Sequence, residues 1–251
     1  MTHFDLTGRT AIVTGANTGI GQAIAVGLAK AGADIIGVGR SAMTETAAEV
    51  TSAGRTFLSI TADLSQAGAG ASVIEQALAA GATPDILVNN AGIIRRADAL
   101  EFTEEDWDAV LDTNLKSVFF LCQAFAKAAI AGQRKAKIIN IASLLSFQGG
   151  IRVPSYTAAK SGLAGLTKLM ANEWAARGIN VNAIAPGYVE TNNTVALRAD
   201  ADRSADILKR IPAGRWARPE DMAGAAVFLA APASDYIHGT ILPVDGGWLA
   251  R

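Results

Sequence analysis

The chain has 251 residues, half of them hydrophobic and 18% charged, enough apolar material to build a sizeable core in one large domain or two small ones. Its 22 basic and 23 acidic side chains leave a net charge of −1, which gives no general electrostatic reason to bind nucleic acid or an anionic membrane. The single cysteine, Cys122, cannot close an internal disulfide, no apolar run reaches the ~20 residues that span a bilayer, and MTHFDLTGRTAIVTG lacks the pattern of a secretory signal, so a cytoplasmic protein is expected.

In chain order, short apolar runs alternate with longer segments of helical period. TAIVT (10–14) is followed by IGQAIAVGLAKAG (20–32), with apolar residues at steps of three and four and a closing glycine suited to a helix C-cap. DIIGV (34–38), TFLSI (56–60), DILVN (85–89) and KIINIAS (137–143) follow, then the helical SGLAGLTKLMANEWAARG (161–178), INVNAIA (179–185) and finally TILPV (240–244). The first six runs place Ile, Val and Leu on consecutive positions, as strands covered on both faces do. Residues 188–220 depart from this rhythm: they are polar, carry five arginines and lack a strand, which predicts a helical insertion over the site. The alternation predicts an α/β fold, a single doubly wound Rossmann-type domain over 1–251 with a seven-stranded parallel sheet flanked by helices.

Directly after the first run comes Thr14-Gly15-Ala16-Asn17-Thr18-Gly19-Ile20-Gly21. Glycines there permit a tight turn and close backbone approach, and the following helix aims free N–H groups and its positive dipole end at a phosphate. The end of the second run decides between dinucleotides, because an acid there binds the ribose of NAD and a base accommodates the 2′-phosphate of NADP. The sequence reads Val38-Gly39-Arg40-Ser41, with no carboxylate; Arg40 and Ser41 favour NADP(H) over NAD(H), the alternative being a solvated Arg40 with NAD held by backbone contacts.

The stretch Ser155-Tyr156-Thr157-Ala158-Ala159-Lys160 puts a phenol one helical turn from an amine, on one face. Reduction of a carbonyl needs a proton donor for the developing alkoxide. A free tyrosine, with a pKa of about 10, is a poor base near neutrality, and a cation one turn away favours its phenolate. Lys160 suits that task and can also reach a nicotinamide ribose. Ser143, at the end of KIINIAS, stands at the carboxyl edge of the sheet, where ligands bind in this architecture. Asn114 interrupts a long predicted helix, where its amide suits a backbone kink or a water that passes protons to Lys160. Taken singly each has a plainer reading: a strand-end cap for Ser143, a solvated amide for Asn114, a packed ring and a surface cation for the pair.

Together these features resemble the short-chain dehydrogenase/reductase family over essentially the whole chain. The resemblance makes Asn114, Ser143, Tyr156 and Lys160 catalytic and assigns cofactor contacts to Gly15, Asn17, Thr18, Gly19, Ile20 and Gly21. It extends them to Asp63 and Leu64, to Asn90, Ala91 and Gly92 of the Asn-Asn-Ala-Gly motif, to Tyr156 and Lys160, and to Pro186, Gly187, Val189 and Thr191. It also implies a homotetramer. LLSFQGGIRVPSY (144–156), APGYVETNNT (185–194), RIPAGRWARPED (210–221) and VDGGWLAR (244–251) are similar to the branch of the family that acts on keto-deoxy sugar acids, usually NAD-linked, from which Gly39-Arg40 departs.

Such a substrate needs a cation for its carboxylate, and arginine's fork suits the task. The candidates are Arg95, Arg96, Arg152 and Arg215, with Arg152 first because the loop from Ser143 to Tyr156 must border the reacting carbonyl; Gln148, Asn192 and Asn193 offer amides for hydroxyls. A reductase of another ketone (an acyl-carrier thioester, a steroid or a simple sugar) is the alternative, though an apolar insertion would suit the first two better. A dinucleotide-sensing regulator would not need the Ser–Tyr–Lys set, and a sugar-nucleotide epimerase would usually need a second domain. His3 and His238 are isolated, and no structural metal is expected.

Overall fold

Seven strands form one all-parallel sheet in the order β3-β2-β1-β4-β5-β6-β7 in a computed structural model that describes residues 3–251. The strands are β1 (Thr10–Thr14), β2 (Asp34–Gly39), β3 (Phe57–Thr61), β4 (Ile86–Asn89), β5 (Ala136–Ile141), β6 (Ile179–Pro186) and β7 (Ile241–Val244). Each lies within two residues of its predicted run. Successive side chains point to opposite faces, so Ile12 and Val13 enter different cores. One core lies under α1 (Gly19–Lys30), α2 (Thr44–Ser52) and α9 (Ala223–Ala230), with Ile24, Leu28, Val50 and Leu229 against Val13, Ile35 and Ile139. The other lies under α3 (Ala69–Ala79), α5 (Ser117–Ala131) and α6 (Pro154–Trp174), with Val73, Phe125, Leu163 and Met170 against Ile12, Ile36 and Ile138.

β3 is covered more thinly than expected, Phe57 packing on one core and Leu58 and Ile60 on the other. It is an edge strand with one neighbour, and of its residues only Ile60 is buried. No described helix is long and apolar enough to cross a membrane.

The order reverses between β1 and β4, and a crevice opens there at the carboxyl ends of the strands, where ligands bind in open α/β sheets. The insertion after β6 folds as α7 (Val195–Ala199) and α8 (Ala201–Arg210). Its two stems meet in an isolated parallel bridge between Val189 and Ala217. There Glu190 N–H donates to the Ala217 carbonyl at 2.9 Å and Ala217 N–H to the Tyr188 carbonyl at 2.9 Å.

Candidate active site

A cleft of about 920 Å³ runs along the strand ends, from Ile20 and Asn90 past Ser143, Tyr156 and Lys160 to Arg210 and Trp248. Its first end is built from glycine. Gly15 and Gly19 adopt left-handed φ of 66° and 58°, which glycine alone takes without strain. A Cβ on Gly21 would overlap the Gly15 carbonyl oxygen and Asn90 Nδ2. The Asn-Asn-Ala-Gly turn buttresses this loop: Asn90 Nδ2 donates to the carbonyls of Thr14 (3.0 Å) and Gly15 (3.3 Å), and Thr14 Oγ1 accepts from Asn90 N–H and Ala91 N–H. Thr18, the N-cap of α1, makes no side-chain cap, and the first turn holds no acid. The first amides of α1 are therefore left for an outside acceptor, and this cradle fits a dinucleotide phosphate.

At the end of β2, Arg40 and Ser41 are exposed and Asn17 Nδ2 donates to Ser41 Oγ at 2.9 Å. Hydrogen bonds from the Ser65 hydroxyl and N–H hold the Asp63 carboxyl below its ordinary value, with the Arg40 charge assisting. Leu64 packs half-buried against the second core. A Cβ on Gly39 would meet nothing nearer than Asn17 Oδ1 at 3.5 Å, so the missing acid is not excluded by space. Farther along, Gly187 passes so close to β7's end that a Cβ would lie 2.7 Å from Asp245 Cα. Thr191 meets the glycine loop, its Cγ2 standing 3.5 Å from where a Gly19 Cβ would be. Pro186, Gly187, Val189 and Thr191 all border the cleft.

Ser143 caps the short turn Leu144–Ser146, its Oγ accepting from Leu145 N–H at 3.2 Å. Tyr156 sits in the first turn of α6, which opens at Pro154, where a missing N–H costs nothing. Burial pushes the Tyr156 phenol up, while a hydrogen bond with Ser143 and the Arg96 charge pull it down. Lys160, one helical turn on, is the neighbouring cation and borders the same cleft. Its Nζ lies 5.5 Å from the centre of the Tyr156 ring and donates to the Ile141 carbonyl at 2.6 Å. The amine is buried and itself pushed down to about 8 by desolvation.

Asn114 occupies a π-helical turn, Asp112–Lys116, between α4 (Glu104–Leu111) and α5. Fully buried, it clasps one residue: Oδ1 accepts from Ile93 N–H at 2.9 Å and Nδ2 donates to the Ile93 carbonyl at 2.8 Å. A Cβ on Gly92 would come within 3.0 Å of that Oδ1. The amide thus fixes the loop after β4, one of its two N–H donors being spent on backbone.

Three of the substrate candidates do not reach the cleft. Arg95 turns outward to Asp106 (Nε to Oδ1, 3.0 Å), and its neighbour Arg96 lines the cleft instead, donating to the Asn193 carbonyl at 2.9 Å. Arg215 is held by both oxygens of Asp221, at 2.6 and 3.0 Å, beside a separate cavity of about 240 Å³. Asn192 points to solvent, and Asn193 takes its place on the wall. Arg152 and Gln148 do border the cleft; Arg152 has a left-handed φ of 62°, and Gln148 Oε1 accepts from Trp248 Nε1 at 3.2 Å. The sequence reading overlooked Arg203, Arg210 and Trp248. The seven-residue spacing of the two arginines, with Ile207 between, was the available signal, since it marks one helical face.

A family model described as enoyl-(acyl carrier protein) reductase matches residues 15–249. The 2-dehydro-3-deoxy-D-gluconate 5-dehydrogenase of Escherichia coli is 61% identical over 251 residues, spanning 100% of this chain and 99% of that protein. A solved structure from Agrobacterium tumefaciens with bound NADP is 62% identical, with a TM-score of 0.95 over 100% of both chains. A gluconate 5-dehydrogenase from Burkholderia cenocepacia, in complex with NADP and tartrate, is 40% identical with a TM-score of 0.94, covering 99% of this chain and 98% of its own.

Proposed function

This chain belongs to the short-chain dehydrogenase/reductase family, and on that premise we propose that it moves a hydride between NADP(H) and a keto-deoxy sugar acid, as a 2-dehydro-3-deoxy-D-gluconate 5-dehydrogenase. Two hydroxyl side chains carry the reading: Ser143 and Tyr156 border one cleft together with Lys160 and with Ile20 and Asn90 beside the glycine loop. The relative of the same activity, 61% identical from end to end, supports the substrate class. When bound, the nicotinamide supplies or accepts the hydride. Ser143 Oγ donates to the substrate oxygen and orients it. Tyr156 gives its proton to the forming alkoxide in reduction and takes it back in oxidation. Arg96 adds positive potential that favours the phenolate. Lys160, with a pKa near 8, tethers α6 to the end of β5 and trades protons within reach of the phenol. Asn114 is a positioning residue that holds Ile93 and so the Arg96 loop. The cation-rich cleft (Arg96, Arg152, Arg203 and Arg210 against Asp200 and Asp206) suits a sugar acid better than an acyl chain. The enzyme works as a cytoplasmic homotetramer; half-exposed Phe120 and Trp107 on α5 and α4 offer apolar surface for pairing.

Absorbance of NADPH or NADH, followed with keto-deoxy uronates, ketoses, steroids and acyl thioesters, tests the assignment. Turnover fastest on the sugar acid is expected, and faster turnover of an acyl thioester overturns it. For the cofactor, Gly39→Asp sets a carboxylate beside Arg40 and against a 2′-phosphate. NADP affinity is expected to fall about tenfold or more while NAD affinity holds or rises. A loss shared equally by both nucleotides removes the end of β2 from that choice.

A further inference from the structure

On α8, Arg203, Ile207 and Arg210 share one face at steps of four and three. Ile207 is buried with Leu144, Ile211, Trp216 and Trp248, which turns that face toward the molecule. Both guanidiniums are close enough to Tyr188 to pull its phenol down against the burial that pushes it up.

Arg210 is placed differently from every other cleft arginine. Its Cζ lies 4.1 Å from the centre of the Trp248 ring. That ring is itself fixed: it is 4% exposed, donates to Gln148 at 3.2 Å, and packs on Tyr188 at 4.8 Å. Tyr188 in turn packs edge-on against Trp216 at 5.4 Å. Stacking immobilises one face of a guanidinium while leaving its N–H edge free for a planar anion. Among the described residues Arg210 has no ion pair, whereas Arg95 and Arg215 each hold a carboxylate. The nearby Asp206 is taken by Lys209 at 3.3 Å. Arg96 spends a donor on Asn193, and Arg152, exposed as Arg210 is, has no aromatic floor. The tail that carries Trp248 is also clasped to α8, Arg251 donating to the Lys209 carbonyl at 2.9 Å.

We propose that Arg210, held over the face of the Trp248 indole, is the specificity residue that grips the substrate's carboxylate. This rests on the sugar-acid reading above. In a 5-keto sugar acid the carboxylate lies at the other end of the carbon chain from the reacting carbonyl. Its cation therefore belongs on a wall other than the one bearing Ser143 and Tyr156, and α8 with the C-terminal tail forms such a wall. A preorganised fork binds with little ordering cost, which favours it over a freely moving arginine at the rim.

Isothermal titration of the NADPH-loaded protein with D-gluconate and with neutral D-glucitol reads carboxylate recognition without turnover. Wild type is expected to prefer gluconate. Arg210→Ala should weaken gluconate about thirtyfold and leave glucitol unchanged, with Arg210→Lys between. In turnover, KM for the keto-deoxy sugar acid should rise by a similar factor while kcat stays within about threefold. A wild type indifferent to the carboxylate, an Arg210→Ala protein that keeps the preference, or its loss in Arg152→Ala alone overturns the proposal. Selective gluconate binding through Arg210 without turnover of any sugar acid sinks the proposed reaction and leaves the anion site standing. Normal turnover with an unchanged Arg210→Ala KM does the reverse.

Discussion

Replacing Tyr156 with Phe is expected to lower kcat by about a thousandfold, within the range that a positioned proton donor supplies. The change removes one oxygen and keeps the ring, so packing at the start of α6 is preserved. Because the glycine cradle and the end of β2 are untouched, the dissociation constant for NADPH should stay within about threefold. The affected step is protonation of the alkoxide, so KM for the sugar acid should move far less than kcat. Steady-state rates together with titration of the nucleotide separate the two effects. If the variant keeps more than about a tenth of the wild-type rate, another group donates the proton. Ser143, which borders the same cleft, is then the first suspect.

Lys160→Met should also abolish turnover, by about a hundredfold or more, and should change how stability depends on pH. Desolvation pushes the folded amine down to about 8, against about 10.4 for a free lysine. Between those values the unfolded chain holds more protons than the native one, so wild-type stability rises with pH across that window. Below it the cost of a buried ammonium is present in full, about 3 kcal/mol. Methionine removes that cost but leaves the Ile141 carbonyl without its donor, a loss of about 1–3 kcal/mol. The variant should therefore match or slightly exceed wild type near pH 7, and be the less stable protein near pH 10. Urea unfolding at both values checks this. A stability difference that does not change with pH would show that Lys160 carries no depressed pKa in the native fold.

The strands could be read from sequence because parallel strands buried on both faces leave continuous apolar runs. TFLSI misled only about how completely its side chains are buried, since a run of five does not reveal whether a second neighbour exists. Tyr156 and Lys160 were legible because helical spacing is local. The lysine's own hydrogen-bond partner was not, since it is a carbonyl on β5, supplied by tertiary packing. The arginines failed for the same reason. Whether Arg95 or Arg96 enters the cleft is settled by Asp106 in the first turn of α4, and Arg215 is claimed by Asp221 beyond the insertion. Arg210 could have been paired with Arg203 by spacing, but nothing local announces that Trp248 lies beneath it.

The bridge between Val189 and Ala217 means that the chain leaves and re-enters the scaffold at nearly one point. Everything between those stems hangs from a fixed pair of hinges, like a cartridge seated in a socket. Exchanging that cartridge for one of another length or charge would leave every strand register as it is. One scaffold could thereby acquire new clientele by loop replacement alone, with Ser143, Tyr156 and Lys160 carried over intact.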